Sequence, residues 1–280
     1  MAMTPPPAIL RLENVFFRYP GGEPVLRHLS LDFPKGEKTV VLGRNGAGKS
    51  TLFSLCNGLF LPESGRVWLD GEPLGTSRKA LREARKRIGL LFQNPDSQLV
   101  SASVREDVSF GPINLGLSRR DVLHRVETAL EEVGMRDSID RPVHALSFGQ
   151  KKRVCLAGVL AMEPEVLILD EPTAGLDPAM AEELLGLLER LRERGVTLIS
   201  ATHDLDFAYA WADHVRILDR GELVRSGSVS LLAEMNEELP RLGLSVPWVV
   251  QVWESLDGRV SSDEMPRSLA ELLRAISGCS

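Results

Sequence analysis

Short segments that alternate apolar and polar residues mark the N-terminal part of the chain. They are Ile9-Leu10-Arg11-Leu12 and Leu29-Ser30-Leu31-Asp32-Phe33, split by a Pro20-Gly21-Gly22 turn, and then Val67-Trp68-Leu69 before Asp70-Gly71. Period-two alternation puts one face in a core and the other in water, so these segments predict an antiparallel sheet. Three other runs are apolar without interruption: Thr39-Val40-Val41-Leu42, Val166-Leu167-Ile168-Leu169 and Val196-Thr197-Leu198-Ile199. Runs of that kind mark strands buried on both faces of a parallel sheet. Asp121 to Val133 and Ala179 to Arg194 carry apolar residues three and four positions apart with charges between them, which is helical spacing. Strands alternating with helices predict a wound α/β core.

Residues 97–162 lie between two core strands and are mostly helical, too long for an ordinary crossover, and are expected to form an inserted helical subdomain. After Gly227 the strand-helix rhythm stops. Residues 228–280, punctuated by Pro240, Pro247 and Pro266, read as a small C-terminal extension to a main domain spanning residues 8–227.

Composition narrows the function classes. The 280 residues are 43% hydrophobic and 26% charged, with a net charge of −6, so a broad basic face for nucleic acid is not expected. The longest stretch without a charged residue, Ser50 to Pro62, covers 13 positions, short of the ~20 apolar residues that span a bilayer. Met1 to Pro7 has no basic region followed by an apolar run and does not read as a signal peptide. Cys56, Cys155 and Cys279 form neither a CxxC pair nor a metal cluster and read as free thiols.

Chemistry concentrates at a few positions. Gly43-Arg44-Asn45-Gly46-Ala47-Gly48-Lys49-Ser50-Thr51 fits G-x4-G-K-[ST] between an apolar strand and a helical run. Its glycines let backbone N–H groups turn inward around a phosphate, the helix start adds its positive dipole end, Lys49 adds a point charge, and Ser50 is placed to ligate Mg²⁺. Asp170 and Glu171 stand where a buried strand emerges at its C-terminal end, the ligand-binding side of open α/β sheets. Asp170 would serve the magnesium, directly or through water, leaving Glu171 to polarise the water that attacks a γ-phosphate. Leu146-Ser147-Phe148-Gly149-Gln150 precedes the apolar run Val154 to Met162, and a helix beginning with Ser and Gly offers free N–H groups to an anion.

These spaced motifs together resemble the ATP-binding subunits of ABC transporters, over about residues 8–227, with Phe148 standing where the family signature usually has Gly. The resemblance implies a P-loop NTPase core with an antiparallel β subdomain, and ATP and Mg²⁺ as ligands. It further implies that Tyr19 stacks on adenine, that Gln93 senses magnesium and the membrane partner, and that His203 contacts the γ-phosphate. Ser147, Gly149 and Gln150 would meet the nucleotide of an opposing subunit, to which Asp177 also crosses. Two subunits, identical or not, would then form two composite sites.

Phe92-Gln93-Asn94-Pro95-Asp96-Ser97-Gln98-Leu99, Val104-Arg105-Glu106-Asp107-Val108, Phe110 to Leu117 and Ala157 to Glu165 resemble the energy-coupling-factor branch, which includes cobalt, nickel and vitamin importers. That resemblance implies a peripheral ATPase at the cytoplasmic face of the membrane. It would drive a transmembrane coupling protein, while a separate small membrane protein captures the substrate. Cobalt is the first expectation for cargo, with nickel, biotin or another vitamin open. Another ABC importer class, or a soluble ABC ATPase with no membrane partner, remains the alternative. Leu99, Val100 and Val104 are expected to form an apolar docking patch for the membrane partner, the alternative being that they pack inside the helical subdomain.

Overall fold

The computed structural model describes residues 7–256 and 265–277; Cys279 and nearly all of the Met1 to Pro7 segment lie outside them. Strands β1 (Ala8–Arg18) and β2 (Pro24–Pro34) pair antiparallel, and the chain then turns into β3 (Lys38–Leu42) and helix α1 (Lys49–Cys56). Strands β4 (Ser64–Leu69) and β5 (Glu72–Pro73) complete a four-stranded sheet in the order β2-β1-β4-β5. Helix α2 (Arg78–Arg87) leads into β6 (Ile88–Leu91), and helices α3 (Val104–Asn114), α4 (Arg119–Glu132) and α5 (Phe148–Leu160) follow before β7 (Val166–Asp170). Helix α6 (Pro178–Glu193), β8 (Thr197–Thr202), α7 (Leu205–Trp211), β9 (His214–Asp219) and β10 (Glu222–Ser228) close the main body. The second sheet has the order β10-β9-β3-β8-β7-β6, with every neighbouring pair parallel except β9 and β10.

Period-two alternation along the buried strands sorts side chains between two cores. On β3, Val41 joins a core with α1 and the antiparallel sheet, whereas Val40 and Leu42 point into a core with the helices. On β7, Val166 and Ile168 face the first core, and Leu167 and Leu169 the second. Helix α1 is therefore sandwiched between two sheets, and its Leu52, Phe53, Leu55 and Cys56 are all buried. Burial pushes the free thiols of Cys56 and Cys155 up to about 12.

The helical region packs on the outer face of the wound sheet. Val104, Val108, Val126 and Leu130 belong to the same apolar cluster as Leu167 and Leu169. That cluster continues into the C-terminal segment through Leu232, Leu239, Leu244 and Val250. This segment holds α8 (Leu231–Glu234), α9 (Trp248–Ser255) and α10 (Leu269–Ser277). It clasps α7 at both ends: Asp206 Oδ1 accepts from the Trp248 N–H at 2.7 Å, and Arg267 donates to the carbonyls of Tyr209 and Ala212.

Candidate functional site

Strand register builds the site. Leu42 of β3 pairs with Thr202 of β8, and Ala201 of β8 pairs with Asp170 of β7, so three adjacent parallel strands end within one residue of the same rung. The glycine-rich loop after β3, the carboxylates at the end of β7 and the histidine after β8 consequently meet at one edge of the sheet. A pocket of about 400 Å³ there is lined by Tyr19, residues 45–51, Gln93, Asp170, Glu171 and His203, with Val25 as a further wall.

The loop residues 43–48 wrap toward the start of α1. Gly48 has φ 103° and sits so close to the first sheet that a Cβ would fall 2.7 Å from Leu26 Cδ2, so only glycine fits there. Lys49 is 7% exposed, and its Nζ donates to the Gly43 carbonyl at 2.6 Å and to the Arg44 carbonyl at 3.3 Å. Burial lowers the pKa of this ammonium, while the charges of Glu171 and Asp170 act in the opposite direction. Burial likewise raises the Asp170 carboxyl, against a hydrogen bond from Ser50. Tyr19 rests edge-on against Phe17 and Phe60, with ring centroids 5.2 and 5.6 Å away, and its hydroxyl is 3.0 Å from Thr51 Oγ1.

Glu171 is 6% exposed and has a left-handed backbone, φ 48°. One carboxylate oxygen accepts from Thr202 Oγ1 at 3.1 Å, and the other lies 2.7 Å from His203 Nδ1. An ionised carboxylate only accepts, so Nδ1 carries the proton in this contact. Val25, which lines the pocket, and Thr202, which holds the Glu171 carboxylate, had no motif to announce them.

Other sequence-derived residues stand apart. The Arg44 side chain runs past the C-terminal segment, where a Cβ on Gly243 would fall 2.7 Å from its Cδ, so Arg44 and Gly43 do not line the pocket. Ser147, Gly149, Gln150 and Asp177 do not line it either. Ser147 caps α5 in a capping box with Gln150, and Asp177 caps α6 by accepting from the Met180 N–H at 2.8 Å. Gly149 packs beneath them against Met180. The helix starts at Phe148, ahead of the apolar run at Val154 and with Ser147 as its cap, and the signature residues form its first turn.

The apolar docking patch needs correction. Val104 is 0% exposed and sits in the core, and Leu99 is partly buried against that core, whereas Val100 is 73% exposed. Val104 faces inward because the Ser103 cap fixes the first turn of α3 against the 136–142 segment, and the Leu99 N–H bonds the Pro95 carbonyl. Val100 instead borders a groove of about 790 Å³ with Phe92, Gln98, Phe110, Ile113 and Arg85.

A phosphate loop, a strand-end carboxylate pair and a histidine on adjacent parallel strands define a nucleoside triphosphatase of the P-loop class. Residues 26–174 match the family model described as ABC transporter. The chain is 44% identical to the energy-coupling factor transporter ATP-binding protein EcfA of Carboxydothermus hydrogenoformans, over 95% of this chain and 97% of that one. It is 49% identical to the cobalt import ATP-binding protein CbiO of Rhodobacter capsulatus, over 89% and 88%. The solved structure of cbiO1 from Clostridium perfringens, part of the ABC transporter complex cbiONQ, superposes with a TM-score of 0.72 at 45% identity, covering 84% of this chain and 97% of that one. The chain belongs to the ABC transporter ATP-binding family, in its energy-coupling-factor branch. It is an ATP-binding subunit whose hydrolysis of ATP is coupled to transport.

Proposed function

We propose that this chain is one of a pair of ATPase subunits, peripheral at the cytoplasmic face of the membrane, that drives a transmembrane coupling protein of an energy-coupling-factor importer. The observation that carries the reading is the strand register, which sets Lys49, Asp170, Glu171 and His203 around one pocket. In that pocket the N–H groups of residues 45–49 and the Lys49 ammonium hold the β- and γ-phosphates, and Tyr19 receives the adenine. Glu171 takes the proton of the attacking water, and His203, hydrogen-bonded to Glu171, faces the γ-phosphate.

Magnesium fits the donor set. Among the described residues no group of three or more His, Cys, Asp or Glu forms a metal cage. A hydroxyl on Ser50 bonded to the Asp170 carboxylate, with Gln93 on the same pocket wall, suits an ion that takes most of its remaining ligands from phosphates and water. The ion would neutralise charge on the phosphates.

Ser147, Gly149, Gln150 and Asp177 lie away from the chain's own pocket, at the starts of α5 and α6. A second subunit that brings these helix starts to the phosphates completes the site and expels water from it. One chain alone then hydrolyses ATP poorly. The groove bordered by Val100, Phe110 and Ile113, which are 73%, 57% and 60% exposed, receives a segment of the membrane component.

For cargo, the import of cobalt fits the name of the Rhodobacter capsulatus relative, and capture would fall to a separate small membrane protein rather than to this chain. The test is co-expression with the neighbouring membrane proteins, copurification, and ATP-driven uptake into vesicles of cobalt, nickel and biotin compared side by side. Cobalt uptake that disappears in a Glu171→Gln variant supports the reading. Failure of the chain to copurify with any membrane protein overturns it.

A further inference from the structure

Lys152, four positions beyond Phe148 on α5, is 3% exposed. Its Nζ donates to the main-chain carbonyl of Glu171 at 2.9 Å and to that of Ala174 at 3.0 Å. Phe148 closes the same corner: its ring lies 6.0 Å from the ammonium, and its edge meets Gly175, where a Cβ would fall 2.7 Å from Phe148 Cε1. The two acceptors bracket one turn, within which the Ala174 N–H also donates to the Glu171 carbonyl. A buried ammonium is expensive to desolvate, and an apolar side chain of the same length would fill the space without that cost. Burial indeed pushes this group down to about 8, against the charges of Glu171, Cys155 and Asp170. A lysine at this place is explained by what its N–H groups hold.

What they hold is the backbone of the residue with the carboxylate above the phosphate pocket. Glu171 has φ 48°, a left-handed conformation that is strained for a residue with a side chain. Thr202 and His203 fix its carboxylate, and its own N–H bonds the Ala201 carbonyl. The remaining tether comes from α5. We infer that Lys152 is a positioning residue for hydrolysis, locking the Glu171–Ala174 turn to the signature helix and thereby fixing the carboxylate relative to the phosphates. The inference rests on the proposed role of Glu171. It predicts a split between binding and turnover, because Lys49 and the loop at residues 43–48 are untouched by Lys152.

The test compares Lys152→Met and Lys152→Arg with the parent in the assembled transporter, measuring ATP affinity, KM and kcat. For Lys152→Met, kcat should fall roughly 10- to 100-fold, the scale of a small misplacement of a reacting group, while KM and ATP affinity stay within about threefold. Lys152→Arg, which still donates to carbonyls, should recover most of the loss. If Lys152→Met does not fold, as judged by circular dichroism, Lys152→Gln decides in the same way, its amide being too short to span both carbonyls. Parental kcat in the folded variant, KM rising in step with the loss, or an Arg variant no better than Met overturns the inference. A parent that fails to hydrolyse ATP would overturn the proposed function instead, so the two failures are distinguishable.

Discussion

At the scale of single residues, two neighbours on one strand end divide the work. Asp170 is bonded to Ser50, beside the phosphate loop, whereas both Glu171 oxygens are engaged by Thr202 and His203. Glu171→Gln should therefore leave ATP binding intact and lower turnover by about 10²- to 10⁴-fold, the usual range for a general base. Nucleotide titration and steady-state hydrolysis check this together; parental turnover would remove Glu171 from the base role. Lys49→Ala removes the one lysine of the loop, and its ammonium is the point charge available to the phosphates. ATP affinity should drop about 100-fold or more by calorimetry, as expected for a lost charge-assisted contact. These residues were legible in the sequence because spacing alone marks a phosphate loop. Lys152 was not: Lys151-Lys152-Arg153 is a row of like charges, and only the fold turns Lys151 toward Asp96, Arg153 toward Glu183 and Lys152 inward.

At the scale of elements, the strands of the site were readable and their neighbours were not. Strands β3, β7 and β8 are continuous apolar runs because sheets and helices cover both faces. Strand β6, Ile-Gly-Leu-Leu, is too short to stand out, and α2 buries only Ala84, so no apolar stripe marks it. Strand β9 is interrupted by Arg216, which is buried and satisfied by Asp32 from the other sheet, a partner 184 positions away. The start of α5 was readable from Ser147 and Gly149 rather than from apolar spacing, because the capping box of Ser147 and Gln150 sets its beginning. That cap separates two substitutions. Phe148→Gly removes a ring that is 41% exposed and should leave ATPase activity within about threefold, since the N–H groups of the helix start remain. Ser147→Arg removes the cap and crowds the helix start, so hydrolysis should be lost. Equal damage from both would mean that the Phe148 ring itself is required.

At the scale of the whole molecule, the phosphate pocket and the apolar groove lie on different faces. The phosphate pocket sits at the C-terminal edge of the parallel sheet, while the groove beside β6 lies between α2, α3 and α5. Gln93 belongs to the pocket and Phe92 and Gln98 to the groove, with the Phe92 N–H donating to Gln98 Oε1 at 3.0 Å. One short segment thus borders both sites, which suits a relay between bound nucleotide and a docked membrane segment. The groove wall is held by Arg85, which donates to the Gly58 carbonyl at 2.6 Å. Since Leu99 and Val104 support the core, the docking test belongs on side chains that do not. Val100→Asp combined with Ile113→Asp changes two residues that are 73% and 60% exposed, so the isolated subunit should fold and bind ATP with parental affinity. Two buried carboxylates facing an apolar segment would be costly to desolvate, and copurification with the membrane component should fall at least about tenfold. Undiminished assembly would place the membrane contact on another face, and lost ATP affinity would show that these side chains support the nucleotide core after all.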